Sequence, residues 1–444
     1  MKLDDIKQIS IIGLGYVGLV TALCLASKGY MVRGVDTSPE IVKSLNHNKI
    51  PFHEPQLNDL LKTSLKSKSF TASNDVSEVI QESKLVFISV DTPANPDGGI
   101  DLTSIKKVSQ DLGAQLDDTF RIITVRSTVI PGTTDGVILP ILERESNLKA
   151  GVDFGLCVNP EFLREGSAVN DFLHPDRIII GYLDSSSGDF LEQLYEPFSK
   201  NIFKTNLRTA EMIKYTNNAF LATKVSFINE IANICRLTEG IDVMEVAHGI
   251  GMDERISSLF LRAGCGFGGS CFPKDLRGLI HFAKEHHYSP ILLEATLRLN
   301  DFQARYLIDL ALSEIASLEN KKIAILGLAF KPNTSDMREA VSIRVINRLL
   351  QYKTPLSVYD PVAIPNTRAI FGSKLTYCSS IEDCLKDADV CFVITEWDEF
   401  KSLTPGQFKS LMKTPVIIDG RKIYDVESFS KEVTLIQIGF KPIS

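Results

Sequence analysis

Long hydrophobic runs are missing from this sequence. Its longest apolar stretches, such as residues 8–14 and 85–90, are strand-sized and far short of the roughly 20 residues a membrane helix needs. Positive charge is not in excess either. With 48 Lys+Arg against 55 Asp+Glu the net charge is −7, with no basic stripe or Arg-rich tail, which disfavours a nucleic-acid partner. The eight cysteines (24, 157, 235, 265, 271, 378, 384 and 391) contain no CxxC pair and sit mostly in apolar segments, a pattern of reduced thiols and not of a disulfide scaffold. Seven histidines show no HxxxH or Cys/His spacing, so no metal is expected. Residues 1–7 are charged, run straight into a strand and offer no apolar secretory core. Together these absences predict a soluble, cytoplasmic protein without membrane association.

What is present is α/β patterning. A chain of 444 residues with 44% hydrophobic content is long enough for two or three packed domains. The apolar strand 8–12 ends on Gly13-Leu-Gly15-Tyr16-Val17-Gly18, followed by a helical run over 19–28 and a second strand, 31–35, closing on Asp36. Strand, tight turn, helix, strand and an acid about 20 residues on are the full context of a dinucleotide-binding turn. The glycines admit a pyrophosphate at the helix N-terminus and Asp36 accepts from the ribose 2′-hydroxyl. Asp36 would repel a 2′-phosphate, which favours NAD over NADP, although Arg33 is placed to pair with such a phosphate.

The alternation continues through strands 85–90 and 122–125, which end in Asp91-Thr92-Pro93 and Arg126-Ser127-Thr128. Ligands in doubly wound sheets lie beyond the carboxyl ends of strands, so Thr92 and Thr128 are cofactor-site candidates, with local turn formation the competing reading. Asn159-Pro-Glu161-Phe162-Leu163-Arg164-Glu165 follows another strand, and Glu161 and Glu165 would share a face only if that segment were helical. No Gly or Pro occurs from 207 to 239 and apolar residues recur at helical spacing, which predicts one helix of about 45 Å carrying Lys214 and Asn218 one turn apart. Further helices are expected over 276–285 and 292–314. Strands at 322–326, 356–359, 390–395 and 415–419 and a helix over 341–350 read as a second Rossmann-like unit that has lost its GxGxxG. The expected fold class is α/β: two Rossmann-like doubly wound domains (1–206 and 316–444) joined by a long central helix and a helical middle domain (207–315).

The middle domain contains Gly264-Cys-Gly-Phe-Gly-Gly-Ser-Cys271-Phe-Pro-Lys274-Asp275. Four glycines within six positions allow close backbone approach to a ligand. A thiol, an ammonium and a carboxylate follow within five residues, a set suited to covalent catalysis. The competing reading is a buried structural cysteine beside a glycine turn, the commoner fate of a free cysteine.

The motifs Gly13–Gly18, Val125-Arg-Ser-Thr128, Asn159–Glu165, Lys214 with Asn218, Gly266–Asp275 and Gly327 with Phe330-Lys331 resemble, in order and over essentially the whole chain, those of the UDP-glucose/GDP-mannose dehydrogenases. That resemblance implies a four-electron oxidation of a sugar-nucleotide C6 alcohol to the carboxylate in two NAD-dependent steps. Cys271 would capture the aldehyde as a thiohemiacetal that is oxidised to a thioester. Lys214 and Asn218 would stabilise the oxyanions, Asp275 would assist proton transfer, and Glu161 with Thr128 would position the hydrolytic water. The cofactor would be held by Gly13, Gly15, Tyr16, Val17, Gly18, Asp36, Thr92, Thr128, Glu165 and Arg338. The nucleotide sugar would contact Glu161, Phe162, Leu163, Lys214, Asn218, Phe260, Gly268, Phe272, Lys331 and Arg421, with Arg255 reaching a neighbouring subunit of a homodimer or higher oligomer. Asp419-Gly-Arg421-Lys and Phe272 resemble the UDP-glucose branch of that family, which implies UDP-glucose as the expected substrate. GDP-mannose and a UDP-N-acetylhexosamine are the alternatives, and a nucleotide-binding protein without turnover is the reading from a different class. Two departures from the family pattern are Cys265, where a small or apolar residue is usual, and Ala340, where serine is usual.

Overall fold

The protein is described by a computed structural model covering residues 8–443; the expectation for residues 1–7 lies outside the described residues. By contact the chain divides into two compact units, Met1–Asn217 with Arg277–His286, and Asn218–Leu276 with His287–Ser444. Among the described residues no helix is long and apolar enough to cross a membrane.

The first unit is built on eight strands: β1 (Gln8–Ile12), β2 (Met31–Val35), β3 (Phe70–Ser73), β4 (Leu85–Ile88), β5 (Ile122–Val125), β6 (Gly155–Val158), β7 (Ile178–Tyr182) and β8 (Ile202–Asn206). Their order is β3-β2-β1-β4-β5-β6-β7-β8, parallel throughout except for the antiparallel β6–β7 pair. The short β4, wholly apolar, and β5, apolar but for Thr124, are buried on both faces, as parallel strands covered by helices must be. Period-2 alternation divides the core in two. Ile9, Ile11, Leu85 and Phe87 pack on one face and Ile12, Val86, Ile88 and Ile123 on the other.

The second unit's sheet joins β9 (Ile323–Leu326), β10 (Leu356–Tyr359), β11 (Thr376–Tyr377), β12 (Val390–Val393), β13 (Val416–Asp419) and β14 (Thr434–Gln437) in the order β11-β10-β9-β12-β13-β14. Both sheets are doubly wound α/β, as expected. β11 and β14 were not anticipated, because two and four residues with exposed ends carry little periodic signal.

Helix boundaries moved for local reasons. The first helix, Tyr16–Ser27, begins as soon as Gly15 provides an extended N-cap, three residues before its apolar run. The long helix is Leu207–Cys235, ending four residues short of the expected point. The helix after the glycine-rich loop is Phe272–Glu285, so it starts directly behind Cys271. Residues 159–166 are not helical, and Glu161 and Glu165 therefore share no helix face.

Candidate active site

The dinucleotide turn has the geometry its glycines require. Gly13 takes φ +92°, and a Cβ on it would lie 2.6 Å from the Ser89 carbonyl oxygen. A Cβ on Gly18 would lie 1.8 Å from the Gly13 carbonyl oxygen, so the helix packs against the turn only because Gly18 has no side chain. Gly15 caps the helix without any side-chain hydrogen bond, leaving its first N–H groups for an anion. Gly15, Tyr16 and Val17 are half-buried there. Asp36 accepts from Leu14 N–H at 2.9 Å and from Ser38 N–H at 2.9 Å and stays half-exposed, with acceptor capacity to spare for a hydroxyl pair. These residues fit NAD. Arg33 donates instead to Gln8 Oε1 and to Thr71, both on neighbouring strands. Thr92 is buried and its hydroxyl donates to the Thr128 carbonyl at 2.7 Å, clamping together the turns beyond β4 and β5; Thr128 itself is half-buried.

Beyond β6 the loop folds Glu161 inward. Lys214 Nζ donates to its carbonyl at 2.7 Å and to Oε1 at 2.9 Å, and Leu163 N–H donates to Oε2 at 2.5 Å. Burial alone would raise the Glu161 carboxyl, but the Lys214 charge and these hydrogen bonds outweigh it and hold the group below the usual carboxylate range. Phe162 lies under two cations, the Lys214 ammonium at 5.4 Å and the Arg177 guanidinium at 4.2 Å from its ring centroid. A cavity beneath this loop is lined by Arg126, Glu161, Leu163, Arg164 and Arg177. Glu165 is half-buried on the same loop.

In the second unit Cys271 is the only exposed member of the eight cysteines. It precedes the Phe272–Glu285 helix, whose dipole favours negative charge developing at that position. Ser270 Oγ lies 3.5 Å from its sulfur. One turn into the helix, the buried Asp275 accepts from Asn218 Nδ2 at 2.6 Å and pairs with Lys274 Nζ at 2.8 Å. Lys214 and Asn218 thus extend from one continuous helix, each engaged with a carboxylate.

Buried amides fasten the loop ahead of Cys271. Asn300 Oδ1 accepts from Phe267 N–H and its Nδ2 donates to the Phe267 carbonyl; Asn229 Oδ1 accepts from Gly264 N–H and Gln303 Nε2 donates to the Gly264 carbonyl. No spacing in the sequence marked these three. Gly266 and Gly269 take positive φ, and a Cβ on Gly268 would lie 2.4 Å from the Glu339 carbonyl oxygen. Arg421 reaches under the loop, donating to the Gly266 carbonyl at 3.3 Å and the Ile394 carbonyl at 2.6 Å and pairing with Glu396 at 3.2 Å. Cys265 is fully buried with its thiol pushed up by burial, unlike the exposed Cys271. Phe272 stacks edge-on to Phe267, with Phe260 at 6.4 Å between centroids. Lys331 lies over Phe330. Arg338 pairs with Asp336 and Arg255 with Asp253, both on the surface. Ala340, where serine was expected, is buried in the core.

Three family models match in succession: the UDP-glucose/GDP-mannose dehydrogenase family's NAD binding domain over residues 7–199, its central domain over 208–302 and its UDP binding domain over 324–426. The UDP-glucose 6-dehydrogenase TuaD of Bacillus subtilis is 41% identical over 95% of this chain and 90% of its own length. The UDP-glucose 6-dehydrogenase AglM of Haloferax volcanii is 42% identical over 94% of this chain and 97% of its own. The structure of a UDP-glucose dehydrogenase from the hyperthermophilic archaeon Pyrobaculum islandicum superposes with a TM-score of 0.91 at 33% identity, covering 99% of both chains. The chain therefore belongs to the UDP-glucose/GDP-mannose dehydrogenase family and is an NAD-dependent nucleotide-sugar dehydrogenase.

Proposed function

We propose that the protein oxidises UDP-glucose to UDP-glucuronate, using two equivalents of NAD⁺ per sugar. The observation that carries this reading is Cys271: exposed, at a helix N-terminus, behind a glycine-rich loop whose backbone is locked by buried amides. The relatives' common activity supplies the sugar. Bound at the Gly13–Gly18 turn, NAD⁺ would supply the hydride acceptor for both oxidations. The C6 hydroxyl loses its proton to solvent by way of Asp275 as the hydride leaves carbon C6, and Lys214 and Asn218 stabilise the developing alkoxide. The Cys271 thiolate then adds to the aldehyde carbon, and the thiohemiacetal so formed is again a hydride donor. Loss of the second hydride leaves a thioester, and water breaks its C–S bond to release the carboxylate and restore the thiolate. Glu161, held ionised by Lys214, and Thr128 orient that water, while Asp275 moves protons through solvent. Phe260, Gly268, Phe272, Lys331 and Arg421 hold the nucleotide sugar. Glu165 and Arg338 serve the cofactor.

The protein works as a homodimer in this reading. Phe220, Phe227 and Ile234 recur every seven residues along the long helix and are 64%, 49% and 54% exposed, an apolar stripe that a second copy would cover; on assembly Arg255 would reach the neighbour's site. Eight unbridged cysteines suit a reducing compartment such as the cytoplasm. The test is NADH formation with UDP-glucose, GDP-mannose and UDP-N-acetylglucosamine offered separately. Turnover with UDP-glucose alone is expected; turnover with only another sugar moves the specificity, and none with any overturns the enzymatic reading.

A further inference from the structure

The loop between the helices Pro39–Asn46 and Leu57–Ser67 sends one carboxylate, Glu54, into the first unit's interior. Its Oε2 accepts from the Tyr16 hydroxyl and from Gly166 N–H at 2.6 Å, and its Oε1 accepts from Ala168 N–H at 2.8 Å. Tyr16 opens the helix behind the dinucleotide turn. Gly166, at φ +80°, closes the loop that carries Glu161 and Glu165, and Ala168 begins the next helix. The three donors come from two segments about 150 residues apart in sequence. Phe52, two residues before Glu54, packs on the Tyr16 ring with centroids 4.9 Å apart, and Pro55 restricts the backbone just behind it. The Tyr16 phenol is driven well up, by burial first and by Glu54 second, so it is a proton donor to Glu54 at any working pH.

A buried carboxylate costs more than an apolar residue of the same shape unless every oxygen is used. Here both oxygens are used, and the donors sit at the helix start behind the cofactor turn and at the end of the Glu161 loop with the helix start that follows it. We propose that Glu54 is a positioning residue that fixes the dinucleotide turn and the Glu161 loop in one register. This rests on the proposed function, in which a spent cofactor must leave and a second bind while the sugar stays attached to Cys271. A joint that does not depend on bound cofactor keeps Glu161 in place across that exchange.

The test compares Glu54→Gln with the unsubstituted protein. Glutamine keeps the size but offers one acceptor oxygen for three donors, so one arm loses its partner. The expected result is an NAD Kd, by calorimetry, raised at least fivefold, and a kcat lowered at least tenfold, with the KM for the sugar nucleotide changed less than twofold. A change in only one of Kd and kcat, or in neither, overturns the proposal whatever happens to Tm. If Glu54→Gln does not fold, amide hydrogen exchange keeps the question open. NAD is expected to slow exchange over residues 163–168 in the unsubstituted protein and to do so less in Tyr16→Phe; equal protection in the two overturns the joint. The Kd and exchange measurements need no sugar, so they report on Glu54 even if the substrate assignment fails.

Discussion

The two sheets repeat one design up to the point where a ligand would be met. In the first unit Gly13 N–H donates to the Val35 carbonyl, and in the second Gly327 N–H donates to that of Tyr359. Leu14 N–H donates to Asp36 Oδ2 at 2.9 Å; Leu328 N–H donates to Asp360 Oδ2 at 2.8 Å. Both leading glycines have φ above +90° and fit against the neighbouring strand. After that the chains part. Where the first has Gly15 and Gly18, the second has Ala329 and Pro332. Where the first starts a helix at Tyr16, the second waits until Val341. Asp36 keeps part of its surface and receives two backbone N–H groups, whereas Asp360 is buried and receives Leu328, Ala329, Val362 and Ala363 N–H and the Trp397 indole. The same carboxylate keeps acceptor capacity to spare in one sheet and is used up by the protein itself in the other. A strand order thus does not make a dinucleotide site; open donors at a helix start and an acid with lone pairs to spare do.

That contrast can be broken from either side. Asp360→Ala strands four N–H groups, three of them buried, and an indole and is expected to lower unfolding free energy by about 3–5 kcal/mol, read by chemical denaturation, with NAD affinity of the folded protein unchanged. Gly18→Ala forces a Cβ into the Gly13 carbonyl and is expected to weaken NAD about 100-fold by calorimetry, about 2.7 kcal/mol; Ala329→Gly, which puts a glycine in the second unit where the first has Gly15, should leave NAD binding unchanged. Asp36→Ala should weaken NAD about tenfold, about 1.4 kcal/mol, with little effect on Tm.

The smallest expected effect is on pH dependence, and its sign differs between the units. Glu161 titrates below its unfolded value, so the unfolded chain binds more protons there; its contribution is present above the ordinary carboxylate pKa and is lost as pH falls through the folded one. Asp419, in the second unit, is pushed up by burial against its hydrogen bonds from Tyr424, Gln437, Arg421 and Ile423. Its native state holds the proton more tightly, so stability falls as pH rises from the ordinary value through the raised one. Stability-against-pH curves of Glu161→Gln and Asp419→Asn should deviate from the unsubstituted curve in opposite directions.

Much of this was legible before the structure, for definable reasons. Gly13–Gly18 and Asp36 could be read because a strand, a turn and a helix follow one another within 30 residues and each leaves its own periodicity. The Cys271 loop could be read because four closely spaced glycines have few other uses. The pairings could not. Lys214 meets Glu161 across 53 positions and Asn218 meets Asp275 across 57, distances set by tertiary packing. Glu54 sits in an aperiodic loop beside Pro55 and looks like surface, and the hold of the Thr92 hydroxyl on the Thr128 carbonyl spans 36 positions. The second unit was visible as strands and a helix, but that its Asp360 is used up by the protein's own N–H groups showed only in the structure.

The measurement that bears most directly on the account is NADH formed per UDP-glucose consumed, run to completion with excess NAD⁺ and with the sugar product identified. Two NADH per sugar, ending at UDP-glucuronate, is the predicted result, and Cys271→Ser should bind both ligands yet lose nearly all of that turnover. One NADH per sugar, with free aldehyde as the product, would contradict the covalent four-electron reaction assigned to Cys271.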